Sequence, residues 1–178
     1  VAALIRPAYQ RASGRGLPRV LFSAHGLPKK IIAGGDPYQA QVEQSSAAVI
    51  AALRLASVDW LVSYQSRVGP MKWIGPSTDD EIRRAGAEGR PLVVVPIAFV
   101  SEHSETLVEL DIEYRHLAET AGVPAYERVP AVGIHPRFID GLAGMVRRTL
   151  EQTASLCTGG GARQCAVDRT NCPQGRKQ

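Results

Sequence analysis

Cysteine is missing from the body of this chain: none occurs before Cys157, and all three that the 178 residues contain, Cys157, Cys165 and Cys172, fall in the last stretch. An odd count confined to one end is not a disulfide framework, and a body without cysteine fits the cytoplasm. Long apolar runs are missing too, since none approaches the roughly 20 residues that cross a bilayer. The opening residues, Val1 to Arg6, lack the layout of a secretory signal. No basic run interleaved with aromatics is present, and the formal net charge is only +4, which argues against a nucleic-acid surface. No internal repeat is visible. What remains is the composition of an ordinary globular domain, 44% hydrophobic and 21% charged, long enough for one sizeable core.

Strands and helices alternate along that domain. Residues 19–24 (Arg-Val-Leu-Phe-Ser-Ala) form a short buried strand ending at His25. A helix over 37–55 is opened by Asp36-Pro37, an acid cap followed by proline at the first turn. Residues 60–64 (Trp-Leu-Val-Ser-Tyr) form a second strand, and Thr78-Asp79-Asp80-Glu81 opens a short helix with acids at its positive end, closed near Gly86 and Gly89. Residues 92–99 are apolar without alternation, as in a strand covered on both faces. Pro96 within them marks an edge, a bulge or the strand's exit. A helix over 104–121, a strand over 125–132 and a helix over 136–153 complete the pattern. The fold class expected is α/β, a parallel sheet with helices on both faces.

Ligands of such sheets bind beyond the carboxyl ends of the strands, where His25 and His103 both fall. After His103 come Glu105, Glu109, Asp111 and Glu113. Glu105 and Glu109, four apart, share a helix face with no Lys or Arg at that spacing to compensate. An acidic solvated face is the ordinary meaning of such a row; binding a cation or relaying protons is the functional one. A local π-bulge would bring Asp111 or His103 onto the same face. Residues 65–76 hold two Gly-Pro pairs, Met71 and Trp73. They form either a rigid connection capping the core or a lip offering apolar surface to a flat ligand.

Taken in order, several stretches resemble the ferrochelatase family: Leu21-Phe22-Ser23-Ala24-His25-Gly26-Leu27-Pro28, Gly35-Asp36-Pro37-Tyr38, the run from Tyr64 to Pro76, Val95-Pro96-Ile97-Ala98-Phe99, and the run from Ser101 to Tyr114. The resemblance covers about residues 19–150. It implies a chelatase-like, Rossmann-type three-layer domain, the second of two similar α/β domains with a porphyrin cleft between them. Residues 1–15 would be the end of the inter-domain helix, 16–153 the C-terminal domain, and 154–178 a cysteine-containing tail. The N-terminal domain would be missing from this sequence.

The function implied is insertion of Fe2+ into protoporphyrin IX to form haem with release of two protons, the last step of haem biosynthesis. The Gly-Pro-Met-Lys-Trp-Ile-Gly-Pro stretch looks more like the proteobacterial and mitochondrial protoporphyrin enzymes than the coproporphyrin ones. Alternatives are a chelatase for another tetrapyrrole or metal (coproporphyrin, cobalt or nickel) and an inactive haem- or metal-binding module. The resemblance assigns the base to His25 and its partner acid to Glu105. Ferrous iron would meet His25, His103, Glu105, Glu109 and Asp111, while Ser23, Met71 and Trp73 would touch the substrate. Some family members hold a [2Fe–2S] cluster through tail cysteines, for which Cys157, Cys165 and Cys172 are candidates. Four thiolates are the usual set, so the fourth would come from the missing domain. An apolar substrate and product fit a cytoplasmic protein peripheral to the inner membrane.

Overall fold

The computed structural model describes residues 1–151, 163 and 165–172. The described elements run in chain order as α1 (Ala2–Ser13), β1 (Arg19–His25), α2 (Lys29–Ala33), α3 (Tyr38–Leu53), β2 (Asp59–Gln65), α4 (Thr78–Ala87), β3 (Leu92–Pro96), a π-helix (Glu105–Glu113), α5 (Tyr114–Thr120), β4 (Tyr126–Arg128) and α6 (Pro136–Leu150). The four strands form one sheet in the order β2-β1-β3-β4, with every pairing parallel. Such a sheet has to be covered on both faces.

Strand alternation supplies both covers. Val20, Phe22, Val93 and Val95 point to one face, where they pack with Ile5, Ala8 and Ala12 of α1 and Leu53 of α3. Leu21, Leu92 and Val94 point to the other, against Ile82 and Ala85 of α4, Leu110 of the π-helix, and Tyr114 and Ala118 of α5. Full burial of side chains of this size contributes roughly 1.5–3 kcal/mol each. A third cluster, Ala24, Val42, Tyr64 and Ile74, sits toward the carboxyl ends of β1 and β2 and seats the lip against α3.

Element ends follow local chemistry. Asp36 Oδ1 accepts from the Tyr38 N–H at 2.8 Å, so the acid caps α3 as its sequence implies. Arg54, with φ 51°, closes that helix in the left-handed region. Ser77 Oγ accepts from the Asp80 N–H at 3.1 Å, and three acids fill the first turn of α4. Pro96 proves to be the exit of β3, a central strand, three residues short of the apolar run's end. β4 is confined to 126–128, and the helix expected over 104–121 divides into the π-helix and α5. The short helix α2 carries no sequence signal of its own.

Candidate active site

His25 is the last residue of β1, in register with Gln65, the last of β2. Gly26 follows at a point where the chain lies against its neighbours: a Cβ there would come within 2.9 Å of the Gln65 carbonyl oxygen and 3.4 Å of the Trp73 ring. The next residues are zipped to the lip. Ile74 N–H donates to Leu27 O at 2.9 Å, Lys29 N–H to Lys72 O at 2.7 Å, and Pro28 faces Trp73 in an antiparallel bridge. The backbone after His25 therefore carries Trp73 to the strand end, with Met71 exposed beside it.

The phenol of Tyr38 donates to the His25 carbonyl oxygen at 3.0 Å. Burial chiefly pushes that phenol's pKa up, and the Glu105 charge adds to the rise. Tyr38 thus lies against the His25 backbone and within electrostatic range of Glu105. His25 Nδ1 is buried and has no hydrogen-bond partner among the described residues; the same holds for Trp73 Nε1.

Beneath the site lies a buried polar network. Ser23 Oγ donates to Gln65 Oε1 at 2.7 Å and lies 3.2 Å from Thr78 Oγ1, which is 2.9 Å from Ser63 Oγ. Gln65, 1% exposed, spends its amide on the π-helix: Nε2 donates at 2.9 Å both to the Glu105 carbonyl oxygen and to Glu109 Oε2. Glu109 also accepts from Ser66 N–H at 2.7 Å, from Ser66 Oγ, and from the Tyr114 hydroxyl at 2.9 Å. Ser66 adopts φ 57°, a strained setting for serine that presents both its donors to one carboxylate. The Tyr114 phenol is pushed well up by burial first, then by the charges of Glu109 and Asp79, and stays protonated as a donor. An open cavity of about 520 Å³ separates the lip (Arg67, Met71, Trp73) from Asp79, Glu109 and Glu113. His25 stands outside the wall of that cavity.

The residues singled out from sequence divide accordingly. His25, Glu105, Glu109 and Trp73 are brought to one end of the sheet. His103 stands in the loop before the π-helix, its ring 4.9 Å from that of Phe99, with Nδ1 accepting from the Glu105 N–H at 3.3 Å. That acceptor role leaves Nε2 as the protonated nitrogen of the neutral ring. Asp111 faces away from Glu109 and is gripped by Arg128 of β4, so its carboxylate belongs to an ion pair at the sheet edge. Ser23 is fully buried, with its hydroxyl engaged by Gln65 and Thr78, so it supports the site from below and presents nothing to a ligand. Gln65, Ser66, Tyr38, Tyr114 and Arg128 were not singled out as individual residues. A glutamine at the buried end of an apolar strand was the available signal for Gln65.

Of the cysteines, Cys157 lies outside the described residues. The Cys165 thiol is hydrogen-bonded to that of Cys172, which chiefly raises its pKa, and Gln41 Nε2 lies 3.9 Å away. Among the described residues no group of three or more His, Cys, Asp or Glu is placed to hold a metal ion. Among the described residues there are two thiols, fewer than the four that usually hold an iron–sulfur cluster. No described helix is long and apolar enough to cross a membrane.

A parallel three-layer α/β domain with a histidine, an apolar lip and a carboxylate-bearing π-helix at the carboxyl ends of its strands is a ligand-handling domain of the chelatase type. The ferrochelatase family model matches residues 1–150. The chain is 54% identical to a ferrochelatase of Caulobacter vibrioides, over 97% of its own length and 49% of that relative's. It is 53% identical to one from Phenylobacterium zucineum (98% and 50%) and 50% identical to one from Hyphomonas neptunium (96% and 47%). The chain belongs to the ferrochelatase family, and it spans about half the length of the curated relatives it matches.

Proposed function

We propose that this domain, joined to the other half that its relatives possess, inserts Fe2+ into protoporphyrin IX to give protohaem and two protons. The support is the convergence of His25, the Trp73 lip and the π-helix carboxylates on the ends of β1 and β2, in a chain of this family.

Fe2+ exchanges its water ligands for the ring nitrogens while two pyrrole N–H protons leave. His25 accepts the two protons in turn at Nε2, giving up the first before it takes the second, because Nδ1 is closed off by its surroundings. Glu105, whose charge is felt at Tyr38, stabilises the imidazolium and passes each proton outward. The Glu105 carboxylate gives the incoming Fe2+ a contact that suits it without holding it tightly, and His103 adds an imidazole contact when its Nδ1 gives up the Glu105 N–H. Trp73 and Met71 pack on the macrocycle, and Glu109, fixed by its donors, holds the π-helix in place against β2. The protein works in the cytoplasm and meets its apolar substrate at the surface of the inner membrane.

The test is anaerobic iron insertion by the full-length protein, with protoporphyrin IX and coproporphyrin compared under the same conditions. Haem formation from protoporphyrin at the higher kcat/KM is the expected result, with the isolated half inactive. Insertion into coproporphyrin alone, or none into either, would overturn the proposal.

A further inference from the structure

Arg128 lies outside every surface described so far: it is absent from the cavity wall and closes the short edge strand β4. Its side chain is only 11% exposed. Nε donates to Asp111 Oδ1 at 2.7 Å, and a second guanidinium nitrogen bonds Asp111 Oδ2, completing a two-pronged grip. The remaining terminal nitrogen donates to Glu102 Oε1 at 2.6 Å. Glu102 Oε1 also accepts from the Ala131 N–H at 2.8 Å. Glu102 immediately precedes His103, and Asp111 lies in the second half of the π-helix. One guanidinium therefore holds both ends of the segment bearing His103, Glu105 and Glu109. Its anchor is the sheet itself: Arg128 pairs in register with Val94 of β3, and Val129 N–H donates to Val94 O at 2.8 Å.

We propose that Arg128 is a positioning residue, clamping the His103 loop and the π-helix to the sheet edge so that His103 and Glu105 stand in reach of His25. The proposal rests on the iron-insertion function above. Its physical basis is the winding of the helix. Bonds of the i→i+5 type are rare and sustained by their surroundings. Rewinding to an ordinary α-helix would rotate Glu105 and Glu109 away from Gln65. The clamp opposes that rotation from the side opposite Gln65, which holds the Glu105 carbonyl oxygen and the Glu109 carboxylate. Only a planar fork with several donors satisfies Asp111 at both oxygens and Glu102 together; a lysine ammonium does not.

The test uses the full-length protein with Arg128→Met and Arg128→Lys. Misplacing the segment should lower kcat about 100-fold in Arg128→Met while KM for the porphyrin stays within about twofold, because the lip is untouched. Arg128→Lys should recover only part of the loss, and it serves as the informative variant if Arg128→Met does not fold. Hydrogen–deuterium exchange, which needs no catalysis, should show faster exchange confined to residues 102–113 in both variants. Should the wild-type protein insert no iron, the function fails while the exchange experiment still judges the clamp. Unchanged exchange over 102–113 in the folded variants would overturn the proposal. So would exchange raised evenly over the whole domain, or turnover within about twofold of wild type in a wild-type protein that is active.

Discussion

Glu109 accepts four hydrogen bonds, from Gln65, twice from Ser66 and from Tyr114, and every one requires an acceptor oxygen. Glu109→Gln keeps the shape but turns an amide NH2 toward donors that then face another donor. The full-length variant should lose about 1–3 kcal/mol of stability, read as a lower denaturation midpoint, because donors in a partly buried site are left unsatisfied. An unchanged midpoint would mean that water replaces these bonds at no cost. At this scale the sequence was half legible. His25 and Glu105 stood out through family resemblance, and Trp73 through its odd loop. Gln65 and Tyr114 did not, because their importance comes from what the fold brings to them. Ser23, which the resemblance put against the substrate, is fully buried here with its hydroxyl bonded to Gln65.

Among the elements, β1 and β2 and the helices α3 and α4 were legible to within a residue or two, since apolar runs, Asp36 and the acids after Ser77 are local signals. The π-helix was legible as a helix with an acid row that admits a local π-bulge, not as nine residues of continuous wide winding. Residues from Glu105 to Glu113 are compatible with either winding, and the bonds that favour the wide turn come from Gln65 and Arg128, remote in sequence. Gly86 of α4 illustrates another non-local constraint. A Cβ at this position would sit 2.0 Å from the Ala121 carbonyl oxygen, just past α5. Alanine would add about 1 kcal/mol of intrinsic helix preference. Forcing α4 and α5 apart costs typically 1–3 kcal/mol or more. Gly86→Ala should therefore lower the denaturation midpoint of the full-length protein, the clash outweighing the propensity. A raised midpoint would show that the helices separate freely.

Over the whole molecule, the two-faced sheet followed from apolar strands without alternation, and its strand order could not be read from them. Helix α6 has no buried residue, and Ile139, Leu142, Met145, Val146 and Leu150 are all exposed on it. The spacing of these residues marks one apolar stripe. In a chain about half as long as its relatives, that stripe suits cover by the rest of the protein, as the proposed two-halved cleft requires. Within that cleft the central claim is that His25 takes the proton. The direct measurement compares wild-type and His25→Ala full-length protein for porphyrin binding, by fluorescence, and for anaerobic iron insertion. The account predicts porphyrin affinity within about threefold of wild type and turnover lower by roughly 10²–10⁴-fold, as for loss of a general base. Turnover above about a tenth of wild type would contradict it.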